Sequence, residues 1–270
     1  MESLSLLLQS PHKWTSQQFE LLRLVQHSDT PAANLIDPEY LPADQDEEFE
    51  TLHAEFIEPT EDDLANFSST RSIYRRNSFH SVFARLNEAM RSHSSWSETS
   101  KQAILFLCEI LLSHIEAAKN LRMSTKSKIR FEILSSRIRG TLGCDGTLIS
   151  EAASPQLVGI FSVKKENDTS YLARLVSQVL LQGVLAYEHN MAVIDDHTAF
   201  VLRMERTVLK LTMARVSPTY MEELTHGKPL SGTFEVFHSE PYDLCKREGR
   251  GEALRLIIGL YRYINAKGRP

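Results

Sequence analysis

Residues 140–150 read GTLGCDGTLIS and residues 156–164 read QLVGIFSVK. The first stretch alternates about Asp145-Gly146 and predicts two short strands around that step, because Asp-Gly between alternating residues is a strong hairpin signal. The second is a mostly apolar run suited to the interior of a sheet. Further on, residues 170–188 predict a helix capped by Asp168 or Thr169, with Leu172, Leu175, Val176, Val179, Leu180 and Gly183 on its packing side. Residues 199–204 and 208–215 alternate as an antiparallel pair turning at Glu205-Arg206-Thr207. Residues 218–241 read as irregular, and 251–264 as a closing helix striped by Leu254, Ile257, Ile258, Tyr261 and Ile264.

Upstream the periodicity is helical. Residues 126–137 predict a short basic helix with Ile129, Ile133 and Ser136 facing inward. Residues 99–121 predict a long core helix: Ile104, Leu107, Cys108, Leu111, Ile115 and Ala118 share a face, Leu105 and Leu112 widen it, and neither Gly nor Pro interrupts it. Residues 78–91 carry Phe79, Val82, Phe83, Leu86 and Met90 at helical spacing. At 15–26, Thr15 with Gln18 forms a capping-box pattern. The expected fold is α/β, a mixed central sheet flanked by helices. Residues 1–98 are an N-terminal helical extension, and 99–270 the α/β domain.

Charge is polarised along the chain. Thirteen acidic residues and no Lys or Arg lie between Leu24 and Thr70, against a net charge of −5 for the whole chain, so the remainder is basic. Such a block is either a solvated linker or a shield for a polyanion-binding body. Pro31, Pro38, Pro42 and Pro59 punctuate it, so 29–70 is expected to be partly disordered, with Phe49, Leu52, Phe56 and Ile57 forming one amphipathic turn that docks. The densest apolar run, 103–112, holds Glu109 and falls far short of the roughly 20 residues a bilayer needs. Three widely spaced cysteines and a start lacking a basic n-region point to an intracellular protein of cytoplasm or nucleus.

The candidate chemistry centres on Asp145. A carboxylate at a strand end, followed by a second carboxylate and a lysine two positions apart on the next strand, holds a divalent ion beside a water. Ser162 and Lys164 share one face of their strand and would face Asp145, while Lys165 points away. Glu132, or alternatively Glu166, would supply a further carboxylate.

The order of helix, hairpin, strand ending in xxK, helix with glutamines, then hairpin resembles the restriction-endonuclease-like PD-(D/E)xK fold. It is similar in particular to divergent nuclease-like domains of fungal proteins associated with Crinkler and fungal-type kinase architectures. The resemblance covers residues 126–215. It implies that Asp145 and Lys164 are the motif residues, that Glu132 is the acidic residue of the preceding helix, and that Gln178, with Gln182, is the helix glutamine. Mg²⁺ would be held by Asp145 and Glu132, and Lys164, Lys165, Arg137 and Arg139 would meet nucleic-acid phosphates. Ser162 stands where the family needs Asp or Glu, and Cys144 where it has proline, so the resemblance implies the fold more than the activity.

The leading expectation is therefore a nuclease-fold module with a degenerate metal motif that binds nucleic acid or serves as a scaffold. An active Mg²⁺-dependent nuclease is one alternative. Another is a protein-interaction module using the 99–121 helix as a dimer surface. Plainer readings stand beside each residue: Asp145 as a turn residue, Lys164 and Lys165 as a solvated strand end, Glu132 as a surface residue. Cys144 as nucleophile and a zinc site among ten scattered histidines are weaker candidates. Gly249-Arg250-Gly251 lacks the frame of a phosphate loop and reads as a loop before the last helix. Arg71, Arg75 and Arg76 with Tyr74 form a small basic-aromatic patch.

Overall fold

The computed structural model describes residues 14–68, 73–92, 96–125, 128–133, 138–150, 157–162, 169–188 and 197–267. Its elements are α1 (Ser16–Leu21), β1 (Leu24–Thr30), α2 (Ala32–Leu35), α3 (Glu47–Ile57), α4 (Glu61–Ala65), α5 (His80–Arg91), α6 (Trp96–His114), β2 (Leu121–Ser124), β3 (Lys128–Ile133), β4 (Ile138–Gly143), β5 (Gly146–Ser150), β6 (Leu157–Ser162), α7 (Thr169–Glu188), β7 (His197–Glu205), β8 (Val208–Val216), α8 (Pro218–Thr225), β9 (Phe234–Ser239), β10 (Tyr242–Asp243) and α9 (Arg247–Lys267). The fold is the expected mixed α/β: an eight-stranded sheet in the order β1-β9-β8-β7-β6-β5-β2, with β10 beside β8. β6 and β7 are parallel across the α7 crossover, and β1 is parallel to β9. The pairs β2–β5, β5–β6, β7–β8 and β8–β9 are antiparallel. Strands β1, β9, β7 and β6 therefore end at one edge of the sheet, where β5 and β8 begin.

Because successive strand residues face opposite sides, the sheet divides its apolar residues between two cores. Val158, Ile160, Leu202, Met204, Leu211 and Met213 pack with α3, α5, α6 and α9. Ala199, Val201, Ala214, Val216, Phe234 and Val236 pack with α7 and α8. Helix α6 buries the stripe its sequence predicts, with Ile104, Leu107, Cys108 and Leu111 fully enclosed. It stops at His114, earlier than expected, because Ser113 Oγ and His114 Nδ1 both donate to the Ile110 carbonyl and Ile115 turns extended. Its apolar stripe is covered by this chain's own core, which removes the basis for a dimer surface there.

Other expectations are corrected. Residues 128–133 form a strand, not a helix: in KIRFEI the residues Ile129, Phe131 and Ile133 recur every second position, and β3 pairs with β4 in a separate two-stranded sheet. Glu132 is accordingly a strand residue, in register with Arg139. Asp145-Gly146 is not a hairpin turn. It is the step at which the chain leaves β4 and enters the main sheet, where β5 pairs with β2 and β6. Within 218–241, Ser217 accepts from Tyr220 N with Pro218 at the first helical position, opening α8, and alternating FEVFHS makes β9.

The acidic block builds a helix of three turns, α3, rather than a single turn. Asp46 caps it by accepting from Phe49 N, and Glu47, Glu48 and Glu50 occupy the first turn, where the helix dipole favours negative charge. Phe49, Leu52 and Phe56 are buried, and the acids meet α9: Arg262 pairs with Asp46 at 2.7 Å and Glu48 at 2.9 Å, and Arg255 with Asp44 at 2.5 Å. Gly249-Arg250-Gly251 belongs to the first turns of α9, and the close approach of β10 requires Gly249, since a Cβ there would lie 2.2 Å from the Asp243 carbonyl oxygen. Arg250 is fully buried. It donates to the carbonyls of Phe56 (2.6 Å), Ile57 (3.2 Å), Pro59, Leu244 (2.9 Å) and Cys245 (3.0 Å), tying the C-terminus of α3 to the start of α9.

Candidate functional site

At the edge where the parallel strands end, the α7-facing alternation changes character. Along β7 it reads Ala199, Val201, Arg203; back along β8, Val216, Ala214, Thr212, Lys210; along β9, Phe234, Val236, His238. On β1, Leu24 gives way to Gln26 and Ser28. Each strand is apolar beneath the body of α7 and polar at this one edge. The register lines the polar ends up, with Phe161 opposite Arg203 and Arg203 opposite Lys210. Asp145 lies at the same edge: its N–H donates to the Ile160 carbonyl at 2.9 Å, just before the Gly146–Ile160 pair.

Between this edge and the first turn of α7 lies a cleft of about 260 Å³. Tyr171 and Leu172 line it from the helix, Arg203 and Lys210 from the sheet, and His238, Ser239 and the end of β1 from the side. Arg203 is only 6% exposed, donates to the Tyr171 phenol oxygen, and holds its guanidinium carbon 5.4 Å from that ring's centroid. His238 Nδ1 lies 2.9 Å from Thr212 Oγ1 and Nε2 lies 3.3 Å from Gln26 Oε1. Gln26 Oε1 can only accept, so Nε2 donates to it, and the threonine hydroxyl partners Nδ1. Ser239 Oγ has a structural task, accepting from Leu211 N and donating to the Glu240 carbonyl. Asp29 sits at φ 52°, in the left-handed region Asp tolerates, where the β1 register shifts between His27 and Thr30. Among the described lining residues, Arg203 and Lys210 outnumber the one carboxylate, Asp29.

The residues expected from the sequence fall around this edge unevenly. Asp145 is half-buried at the start of β5, and Ser162 closes β6 opposite Met204. Lys164, Lys165, Glu166 and Arg137 lie outside the described residues, as do the side chains of Glu132 and Arg139, whose backbones pair in the β3–β4 sheet. Gln178 is 1% exposed on α7 and is seated over Gly159: a Cβ at that glycine would lie 2.1 Å from Gln178 Nε2, so only glycine admits the amide. Gln178 Oε1 has no hydrogen-bond partner among the described residues. Gln182 presents its amide to β7 as a strand would, donating to the Phe200 carbonyl and accepting from Phe200 N, each at 3.0 Å.

A Mg²⁺ site is not assembled from the described residues. Asp145 brings one carboxylate to the edge, Ser162 at the end of β6 supplies none, and among the described residues no three His, Cys, Asp or Glu side chains gather closely enough to hold a metal. Burial pushes the Cys144 thiol up to about 11, with Asp145 adding to the effect, which keeps it protonated at neutral pH and unsuited to nucleophilic work. In the Arg75–Arg76 patch, Tyr74 turns inward and donates to Asp63 Oδ2 at 3.1 Å, so its ring does not stack with an external base.

The Tyr171–Arg203–Lys210–His238 grouping was not read from the sequence. Its signal is legible there once the strands are known: the α7-facing positions of β7, β8 and β9 all turn from aliphatic to cationic or polar at the same end. No protein-family model matches the chain, and no curated protein matches it significantly.

Proposed function

We propose that the chain is a nuclease-fold module with a degenerate metal motif, which binds nucleic acid at the carboxyl edge of its sheet. The observation that carries this reading is the arrangement α6, β2, β5, β6, α7, β7: three antiparallel strands, a helical crossover and a fourth strand parallel to the third, as in the restriction-endonuclease-like core. Within it Asp145 opens the second of these strands beside the end of the third. The polar edge supports binding: Arg203 and Lys210 stand in register at the same end of the sheet as Asp145, in the crevice where open α/β sheets take ligands. Ser162 at the acid position favours binding over cleavage, because a hydroxyl is a poor Mg²⁺ ligand beside a single carboxylate.

The test is a binding and cleavage series with single- and double-stranded DNA and RNA, with and without Mg²⁺ or Mn²⁺. The expected result is salt-sensitive binding without cleavage, since each phosphate contact releases counterions. Cleavage that Asp145→Asn abolishes would establish the active-nuclease alternative instead. Absence of binding to all four at low salt would overturn the reading. Ser162→Glu should create Mn²⁺ binding by calorimetry, and a companion Asp145→Asn should remove it.

A further inference from the structure

We propose that the Arg203–Lys210 cleft is a binding site for a phosphate monoester, the end of a nucleic-acid strand or a free nucleotide. The proposal goes beyond the reading above, because it needs neither Asp145 nor a metal.

Four features of the cleft lead to it. At about 260 Å³ it falls just below the range typical of ligand pockets, and is large enough for a phosphate and its sugar. Its paired cations favour the more highly charged phosphate: a monoester carries about −1.5 to −2 near neutral pH, against −1 for a diester, and Arg203 and Lys210 stand side by side in register. Arg203 is held ready by the Tyr171 phenol and ring, and its burial strengthens its field relative to a solvent-exposed arginine. Finally, the cleft opens at the first turn of the 20-residue helix α7, whose dipole adds positive potential there. Asp29 on the β1 wall is an acceptor for a sugar hydroxyl, which inorganic phosphate lacks.

The whole chain is titrated without divalent metal against inorganic phosphate, adenosine 5′-monophosphate, and single-stranded oligonucleotides bearing either a 5′-phosphate or a 5′-hydroxyl. The 5′-phosphorylated oligonucleotide is expected to bind at least about tenfold more tightly than its hydroxyl twin, with the monophosphate competing. Lys210→Ala and Arg203→Met should each remove that preference, while Lys119→Ala, an exposed lysine beside Glu116, should keep it. Thermal melts establish folding, and should Arg203→Met not fold, the half-exposed Lys210 decides. Within a positive result, an oligonucleotide held more tightly than the monophosphate identifies the strand end as the source, and equal affinity identifies the free nucleotide. Equal binding of phosphorylated and hydroxyl ends with no saturable monophosphate binding overturns the proposal, as does an unchanged preference in Lys210→Ala. Monophosphate binding without binding of longer nucleic acid would instead overturn the nucleic-acid reading and leave this one standing.

Discussion

Two buried arginines on opposite faces of one sheet are put to different uses. Arg250, on the α9 face, gives every described hydrogen bond to a fixed backbone carbonyl, and burial lowers its pKa to about 10 without removing its charge at neutral pH. Arg203, on the α7 face, meets a phenol and borders an open volume. The first closes a packed interface. The second gives a cation to a concave, polar edge. A buried charge is therefore read by its surroundings: saturated by main chain it is architecture, and beside a cleft it is a recognition element.

The comparison can be broken most sharply at Arg250. Arg250→Met is expected to destabilise by about 3–5 kcal/mol in urea unfolding, because several buried carbonyls lose their donor together. Arg250→Lys should recover only part, since an ammonium cannot reproduce the planar fork. A loss under about 1 kcal/mol would dissolve the contrast. Next comes Gly159→Ala, which must displace the Gln178 amide and should cost about 1–3 kcal/mol through overpacking. Arg203→Met should be milder still, within about 1 kcal/mol, as an apolar replacement of similar size for a buried cation. A large loss there would make Arg203 a second structural staple.

The smallest effect concerns pH. The hydrogen bond from Arg262 holds the Asp46 carboxyl below its usual range, outweighing its partial burial. A carboxyl whose folded pKa is depressed stabilises above its unfolded value, about 3.9, and loses that stabilisation as the pH falls through the lower folded value. The stability gap between the parent and Asp46→Asn, under about 1 kcal/mol for a half-buried pair that solvent still screens, should be flat above about pH 5 and shrink in acid. A gap that widens in acid would reverse the assignment.

Helix stripes were legible wherever four or more apolar residues kept one period, as from Ile104 to Leu111 and from Leu254 to Ile264. Strands β6, β7 and β8 were legible from their alternation. Residues 128–133 were not, because Ile129 and Ile133 fit both a four-residue and a two-residue spacing, and the intervening Phe131 decides for the strand. The acidic block concealed α3: thirteen carboxylates look like a solvated segment until Arg255 and Arg262, some two hundred residues away, supply the counter-charge. Of the candidate site, Asp145 was visible as a residue but its turn was misread, since local signal does not say which strand becomes the neighbour. The Arg203 cleft was invisible for the same reason: it exists only after β8, β9 and β1 are placed side by side.

The pairing of β1 with β9 sets the order in which the molecule comes together as it is made. Leu24 leaves the ribosome some two hundred residues before its partner Phe234 and the α9 arginines that seat α3. Until then the edge strand has no mate and the acids of α3 lack their arginines, and the acidic charge of this segment keeps it hydrated while it waits. A chain halted before residue 234 would retain those early residues as an unassembled, protease-sensitive arm, so the closing helix acts as the latch that commits the whole fold at once.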